Sequence, residues 1–164
     1  SMAEAADVNI KLTVMGDVTL DVEPEGSTLE ILANPSEDGT YKAGGIAYKN
    51  SSYNGIRLRA NRLMSGDALT VIGKNDDSTE GKFRFLNSTT GYTGDQYIPY
   101  QLKYGENLVS TNNAANGFTI NAIANSNIDF SLDFGTAETS LGNLNVDEEY
   151  RDTLTFTFTP PSEG

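Results

Sequence analysis

The chain contains no cysteine and no histidine. Without thiols it can form neither a disulfide framework nor a thiolate zinc site, so its stability has to come from packing. Without imidazole it lacks the commonest general base, the commonest transition-metal ligand and the middle member of a Ser-His-Asp triad. We therefore expect a protein that is not an enzyme and that has no catalytic residues, no bound metal and no cofactor.

Basic side chains are scarce, with 11 Lys and Arg against 23 Asp and Glu, and the formal net charge is −12. This charge repels nucleic acid phosphates and anionic lipid surfaces, so we expect neither nucleic acid nor a membrane as a partner. No run approaches the roughly 18 apolar residues of a membrane span, and no basic segment followed by an apolar one opens the chain. We interpret the sequence as a secreted, mature protein, and the segment Ala3 to Ala6 fits the remainder of a small-residue signal-cleavage site.

Strand-forming residues are abundant, since the chain has 8 Tyr and 7 Phe, and 16 Gly interrupt its apolar segments. A length of 164 residues fits one domain with a single core. Turn signals recur about every 8–12 residues, which is typical of a sandwich or a barrel. We expect an all-β fold of about nine to eleven strands, with no segment long enough for an amphipathic helix.

The N-terminal segment has the clearest strand pattern. Apolar and polar residues alternate without a break, which places Val8, Ile10, Leu12 and Val14 on one face of an extended strand. That face requires burial. Similar alternation runs through Ile128 to Phe134 and Tyr150 to Thr159, and these segments are also predicted strands.

A proline restricts where the strand predicted over Ile98 to Tyr104 can lie in a sheet. Pro99 has no backbone N–H to donate to a ladder, so we expect this strand to start at an edge or a bulge.

Acidic side chains offer no catalytic pair by spacing. Asp129 and Asp133 fall on the polar face of their strand, opposite Phe130, and we interpret them as a solvated face. Neighbouring acids such as Glu148 and Glu149 point to opposite sides of an extended chain. A glycosidase-like dyad is therefore not expected.

Two loop features are candidates for binding. The run Asn75 to Glu80 supplies hard oxygen ligands, but it matches no EF-hand spacing, so we interpret it as a polar hairpin tip and not as a calcium site. Tyr92 and Tyr97 lie in a loop-rich region, where aromatic rings can bind sugars or proteins. Packing in the core or at an edge is the alternative role for these two rings.

The two ends of the chain, and one segment between them, carry a family resemblance. Asp7 to Val14, a break, and then Val18 to Val22 resemble a donor strand followed by the first strand of a pilin domain. Tyr150 to Phe158 resembles the last strand of that domain, in which an aromatic residue and an aspartate precede an alternating apolar run. Ile98 to Tyr104 is similar to a middle strand of the spore-coat-U-like group. The chain thus resembles bacterial chaperone/usher fimbrial subunits, in particular the cysteine-poor colonisation-factor and spore-coat-U-like groups.

The resemblance implies an immunoglobulin-like β-sandwich with Greek-key antiparallel strands that lacks its final strand. In such subunits a periplasmic chaperone fills the open groove, and the N-terminal strand of the next subunit later replaces it at the usher. Carried over to this chain, the donor-strand side chains are Val8, Ile10, Leu12 and Val14. It also implies an extracellular fimbrium as the location, reached through the periplasm, with neighbouring pilus subunits as partners.

The resemblance divides the chain into three parts. Residues 1–16 are an N-terminal extension or donor strand, residues 17–159 are the β-sandwich domain, and residues 160–164 are a tail or linker. The last part departs from the family pattern, since many members stop at the last strand.

Two alternatives stay open on the sequence alone. The first strand either pairs within its own domain or completes a neighbouring subunit. The predicted function is a structural pilus subunit that mediates adhesion, and the alternative is a surface adhesin or carbohydrate-binding sandwich module whose loops, with Tyr92 and Tyr97, contact a host glycan or protein.

Overall fold

The computed structural model describes residues 4–14, 20–60, 68–74, 83–89, 97–109, 118–121, 127–141, 144–145 and 148–159. Within these ranges the fold is all-β, without a helix, as predicted. The strands are β1 Glu4–Val14, β2 Leu20–Glu23, β3 Thr28–Pro35, β4 Tyr41–Tyr48, β5 Ile56–Ala60, β6 Ala68–Lys74, β7 Arg84–Asn87, β8 Tyr97–Pro99, β9 Gln101–Tyr104, β10 Asn107–Val109, β11 Phe118–Asn121, β12 Asn127–Asp133 and β13 Glu149–Thr159.

The described strands outnumber the nine to eleven that were predicted, for two reasons. The single strand predicted over Ile98 to Tyr104 is two strands, β8 and β9, which belong to different sheets. The short strand β10, Asn107–Val109, has too few residues for a recognisable alternation.

The strands form two sheets. The larger has the order β11-β6-β13-β1-β3-β4, with β7 beside β13 and β8 beside β7. The smaller has the order β10-β9-β12-β5-β2. All pairs of described strands are antiparallel except β1 with β13, which run parallel.

The core lies between the two sheets, where the alternating apolar residues of both meet. Ile128, Phe130 and Leu132 of β12 are buried on the face that the sequence predicts. The rings of Phe130 and Phe156, which belong to different sheets, have centroids 4.8 Å apart. The hydroxyl of Tyr48 on β4 donates to the carbonyl of Leu132 on β12 over 3.2 Å. The sheets therefore pack face to face in a β-sandwich-like arrangement.

The chain crosses from the larger sheet to the smaller one at Tyr100, between β8 and β9. The Tyr100 N–H donates to the carbonyl of Phe83 over 3.1 Å, and its hydroxyl donates to Asp152 Oδ2 over 2.7 Å. The side chains of Tyr100 and Asp152 are both buried. Pro99 ends β8, which pairs only with β7 among the described strands, so the proline lies on an edge strand as predicted.

We predict that Tyr100→Phe lowers the free energy of unfolding by about 1–3 kcal/mol, because it removes a hydrogen bond from a buried carboxyl group. Urea denaturation followed by tyrosine fluorescence measures the change. Tyr97→Phe is the matched control, since Tyr97 is 38% exposed, and we expect a change within about 0.5 kcal/mol. Equal stabilities for the two variants would contradict a structural role for the Tyr100 hydroxyl.

Candidate strand-exchange site

Strand β1 lies inside the larger sheet, between β3 and β13. It pairs in parallel with β13 along Ala5 to Val14, and antiparallel with β3 along Glu4 to Asn9. Among the described residues β3 and β13 do not pair with each other, so β1 alone joins the β3-β4 hairpin to the strands around β13. Because neighbouring strands are about 4.8 Å apart, removal of β1 would leave β3 and β13 about 10 Å apart with unpaired backbone groups on both.

The backbone register pairs three of the four predicted donor positions of β1, Val8, Ile10 and Leu12, with buried residues of the neighbouring strands. Since ladder partners share a face of the sheet, the even-numbered positions of β1 fall on the core face. Their partners are Ile31 and Tyr150 for Ala6, Leu29 and Asp152 for Val8, Leu154 for Ile10, Phe156 for Leu12 and Phe158 for Val14.

The walls of this slot are apolar. Leu29 and Ile31 on β3, and Leu154 and Phe156 on β13, are all buried. Burying one side chain of this size contributes about 1.5–3 kcal/mol relative to leaving it in water. We therefore expect an empty slot to expose part of this apolar surface at its two edges.

The opposite face of the ladder is polar. Asp7 pairs with Glu30 and Arg151, and Asn9 pairs with Thr153. A slip of β1 by one residue would exchange its two faces and bring Asp7 and Asn9 to the core. The alternation of the sequence thus disfavours a slip by one residue for whichever copy of β1 occupies the slot.

The two ladders of β1 have different lengths. Pairing with β3 ends where Asn9 meets Thr28, whereas pairing with β13 continues to Val14 and Phe158. Among the described strands, residues 10–14 of β1 therefore pair on one side only. This half of the strand is held by fewer backbone hydrogen bonds than the half before it.

One of the two predicted ligand-contact tyrosines lies within the described residues. Tyr97 on β8 has its ring 5.0 Å from the guanidinium of Arg84, a cation–π contact, and remains partly exposed. Tyr92 lies outside the described residues, as does the loop Asn75 to Glu80.

The acidic residues singled out in the sequence have separate basic partners. Asp129 accepts two hydrogen bonds from Arg57, 2.7 Å from Nε to Oδ1 and 2.9 Å from Nη2 to Oδ2, and these raise the pKa of the guanidinium. Asp133 lies 2.9 Å from Lys103 Nζ. Neighbouring strands hold both pairs on the outer face of the smaller sheet.

The acidic pair at the start of β13, Glu148 and Glu149, is also divided between different partners. Glu148 accepts hydrogen bonds from the amide groups of Asn87 and Asn145, whereas Glu149 lies 2.8 Å from Arg151 Nη2. In the described part of the chain no three Asp or Glu residues are grouped in a way that could hold a metal ion. No helix in that part has the length and apolar character to cross a membrane.

Sequence reasoning missed the residues that line the slot. Leu29 and Ile31 belong to a recognisable apolar run, but no local signal shows that they border β1. Asp152 was noted only as part of the closing segment, and its burial depends on the hydroxyl of Tyr100, 52 positions away. Its oxygen Oδ1 also accepts a hydrogen bond from the Thr153 N–H over 2.8 Å.

Comparison of the chain with protein-family models, with curated proteins and with solved structures finds no match.

We predict that deletion of residues 1–15 abolishes cooperative unfolding, because it leaves the apolar walls of the slot uncovered. A synthetic peptide of residues 4–14, added during refolding, is expected to restore a cooperative transition by circular dichroism. The same peptide with Ile10→Asp and Leu12→Asp is not expected to do so, since it would bring charge to the core face.

A peptide with Asn9→Ser and Lys11→Ser is the matched control, because these positions lie on the polar face, and it is expected to restore folding. If the truncated chain unfolds cooperatively with an unchanged melting temperature, β1 is not part of the core.

Proposed function

We propose that the chain is a structural subunit of an extracellular pilus or similar surface fibre, in which β1 of one subunit fills the slot between β3 and β13 of the next. One observation carries the proposal: among the described strands, β1 alone pairs with both β3 and β13 and so joins the β3-β4 hairpin to the rest of the larger sheet. It is also the first of the described strands, and it is connected along the chain to β2 of the other sheet and not to β3 or β13, its partners in the ladder.

In a single copy, β1 occupies the slot of its own chain. A neighbour's β1 can make the same ladder and cover the same side chains, because every copy has the same sequence. Exchange of an identical element between protomers needs little new binding energy, and a head-to-tail arrangement that does not close produces a fibre. The self-paired form is then the unassembled state of the subunit.

The finer features of the proposal follow the pilin resemblance. They comprise an immunoglobulin-like, Greek-key sandwich formed by residues 17–159, a donor strand within residues 1–16, and Val8, Ile10, Leu12 and Val14 as the inserted side chains. A periplasmic chaperone and an usher are the proposed assembly partners, since an open slot exposes strand edges that promote aggregation. The role is structural and adhesive, without catalytic chemistry.

Disulfide trapping tests the exchange of β1 between subunits. Because the chain has no cysteine of its own, any disulfide that forms joins two introduced cysteines. Asp7 and Glu30 are ladder partners on the polar face. We predict that the double variant Asp7→Cys, Glu30→Cys, oxidised when dilute, forms a disulfide within one chain. Oxidised after concentration into assemblies, it should give a ladder of linked oligomers on a non-reducing gel, which reductant removes.

The matched control is Leu32→Cys, Ala47→Cys, which joins ladder partners within the β3-β4 hairpin. This hairpin stays together in both states, so its disulfide should remain within one chain at every concentration. If assemblies form and the disulfide of the first variant still links positions of one chain only, strand exchange is wrong.

A further inference from the structure

A groove lies at the end of β12, away from the slot of β1. A cavity of about 410 Å³ opens between β4, the β9-β10 turn and the end of β12. A second cavity of about 300 Å³ is lined by Pro99, Tyr100 and Gln101. The two cavities share Asp133, Phe134 and Gly135 and therefore lie next to each other at this turn; we call the larger one, together with the turn, the groove.

The shared turn has a fixed shape. Asp133 Oδ1 accepts a hydrogen bond from the Gly135 N–H over 2.8 Å. Gly135 has φ of +112°, and a Cβ atom there would lie 2.5 Å from Thr139 Oγ1. Only glycine fits this backbone without strain. The turn holds Phe134, whose ring centroid is 6.1 Å from that of Phe85 and 6.0 Å from that of Tyr100.

A charged donor and acceptor border the groove together. Lys103 Nζ lies 2.9 Å from Asp133 Oδ2. Hydrogen bonding from Lys103, and then from the Gly135 N–H, holds the pKa of Asp133 below its usual value, while the same contact with Asp133 raises the pKa of Lys103. A carboxylate has about four acceptor positions and an ammonium group three donors, so each retains capacity for a ligand.

The remaining lining of the larger cavity combines apolar and polar groups. Ile46 and Leu132 supply apolar surface, and Ser131 and Glu106 supply hydroxyl and carboxylate groups. Burial raises the pKa of the Tyr48 hydroxyl, which donates to the Leu132 carbonyl on the same wall. The cavity volume falls within the range of about 300–1,000 Å³ that is typical of small-ligand sites.

This combination fits one class of ligand. A pyranose ring has an apolar C–H face, which packs on an aromatic ring, and adjacent hydroxyl groups, which each donate and accept hydrogen bonds. Phe134, which is partly buried and lines both cavities, is the aromatic residue of the groove, while Asp133 and Lys103 provide an acceptor and a donor side by side. Two carboxylates on the groove, Asp133 and Glu106, disfavour an anionic sugar. We propose that this groove binds a neutral hexopyranose unit of a glycan.

The proposal does not depend on strand exchange, since no residue of the groove belongs to β1, β3 or β13. The single chain locked by the disulfide between positions 7 and 30 can therefore be used to test it. Failure of sugar binding and failure of fibre formation are separate results.

The test is an NMR titration of the ¹⁵N-labelled locked chain with glucose, galactose, mannose, N-acetylglucosamine and N-acetylgalactosamine. At least one of these sugars is expected to bind saturably and to shift the amide signals of Lys103 and of residues 131–135. Asp133→Asn and Phe134→Leu are each expected to weaken that binding about tenfold or more, because they remove a charge-assisted hydrogen-bond acceptor and the aromatic face. If none of the five sugars binds saturably, the proposal is overturned.

Asp129→Asn is the matched control, because it breaks an equivalent ion pair with Arg57 on the same sheet outside the groove. It is expected to leave the affinity within about twofold. If Asp133→Asn unfolds the chain by loosening the turn, Lys103→Gln tests the same pair without removing the hydrogen bond to Gly135. Unchanged affinity in both Lys103→Gln and Phe134→Leu would also overturn the proposal.

Discussion

The double ladder of β1, parallel to β13 on one side and antiparallel to β3 on the other, is the interaction on which the larger sheet depends. Without it, β3 and β4 are joined to β13 by no described pairing within that sheet. Leu29 and Ile31 on one side of the slot, and Leu154 and Phe156 on the other, are buried in the core where β1 fills the space between their strands. The stability of the larger sheet therefore depends on a copy of β1 being present there.

The polar groups around this slot restrict the choice of strand further. Asp152 lies in the core beside the position of Val8, with its carboxyl group held by the Tyr100 hydroxyl and the Thr153 N–H. Tyr100 is also the residue at which the chain passes between the sheets. The hydrogen bond between Tyr100 and Asp152 thus links the point where the chain crosses between the sheets to β13, the strand that pairs with β1. We therefore expect the position of β13 beside the slot to depend on contacts with both sheets.

Local patterns in the sequence predicted much of the fold. The period-2 alternation identified β1, β12 and β13, and Pro99 indicated an edge strand. The sequence could not show that β1 runs parallel to β13, because the partners Ile10 and Leu154 are 144 positions apart and no local signal sets the direction of a distant pairing. The break at Tyr100 was missed for a related reason, since alternation continues through Ile98 to Tyr104 although the two halves lie in different sheets.

Sequence patterns also did not predict the proposed sugar-binding groove. Asp133 was interpreted as part of a solvated strand face, and Phe134 as one more apolar residue on the opposite face. Their combined role arises from the turn at Gly135 and from Lys103 on the neighbouring strand, which become visible only in three dimensions. Alternation describes which face a residue occupies, but it does not describe where a strand ends or what meets it there.

In the proposed exchange, β1 occupies its own slot in the single chain and a neighbour's slot in the fibre. Solid-state NMR of fibres grown from an equal mixture of ¹⁵N-only and ¹³C-only chains tests this directly. Strand exchange predicts ¹⁵N–¹³C correlations between β1 and β13, for example between Ile10 and Leu154, because the two strands then come from different chains. The contradicting result is a mixed fibre that lacks these correlations while a fibre of chains carrying both labels shows them. The two strands would then come from the same chain.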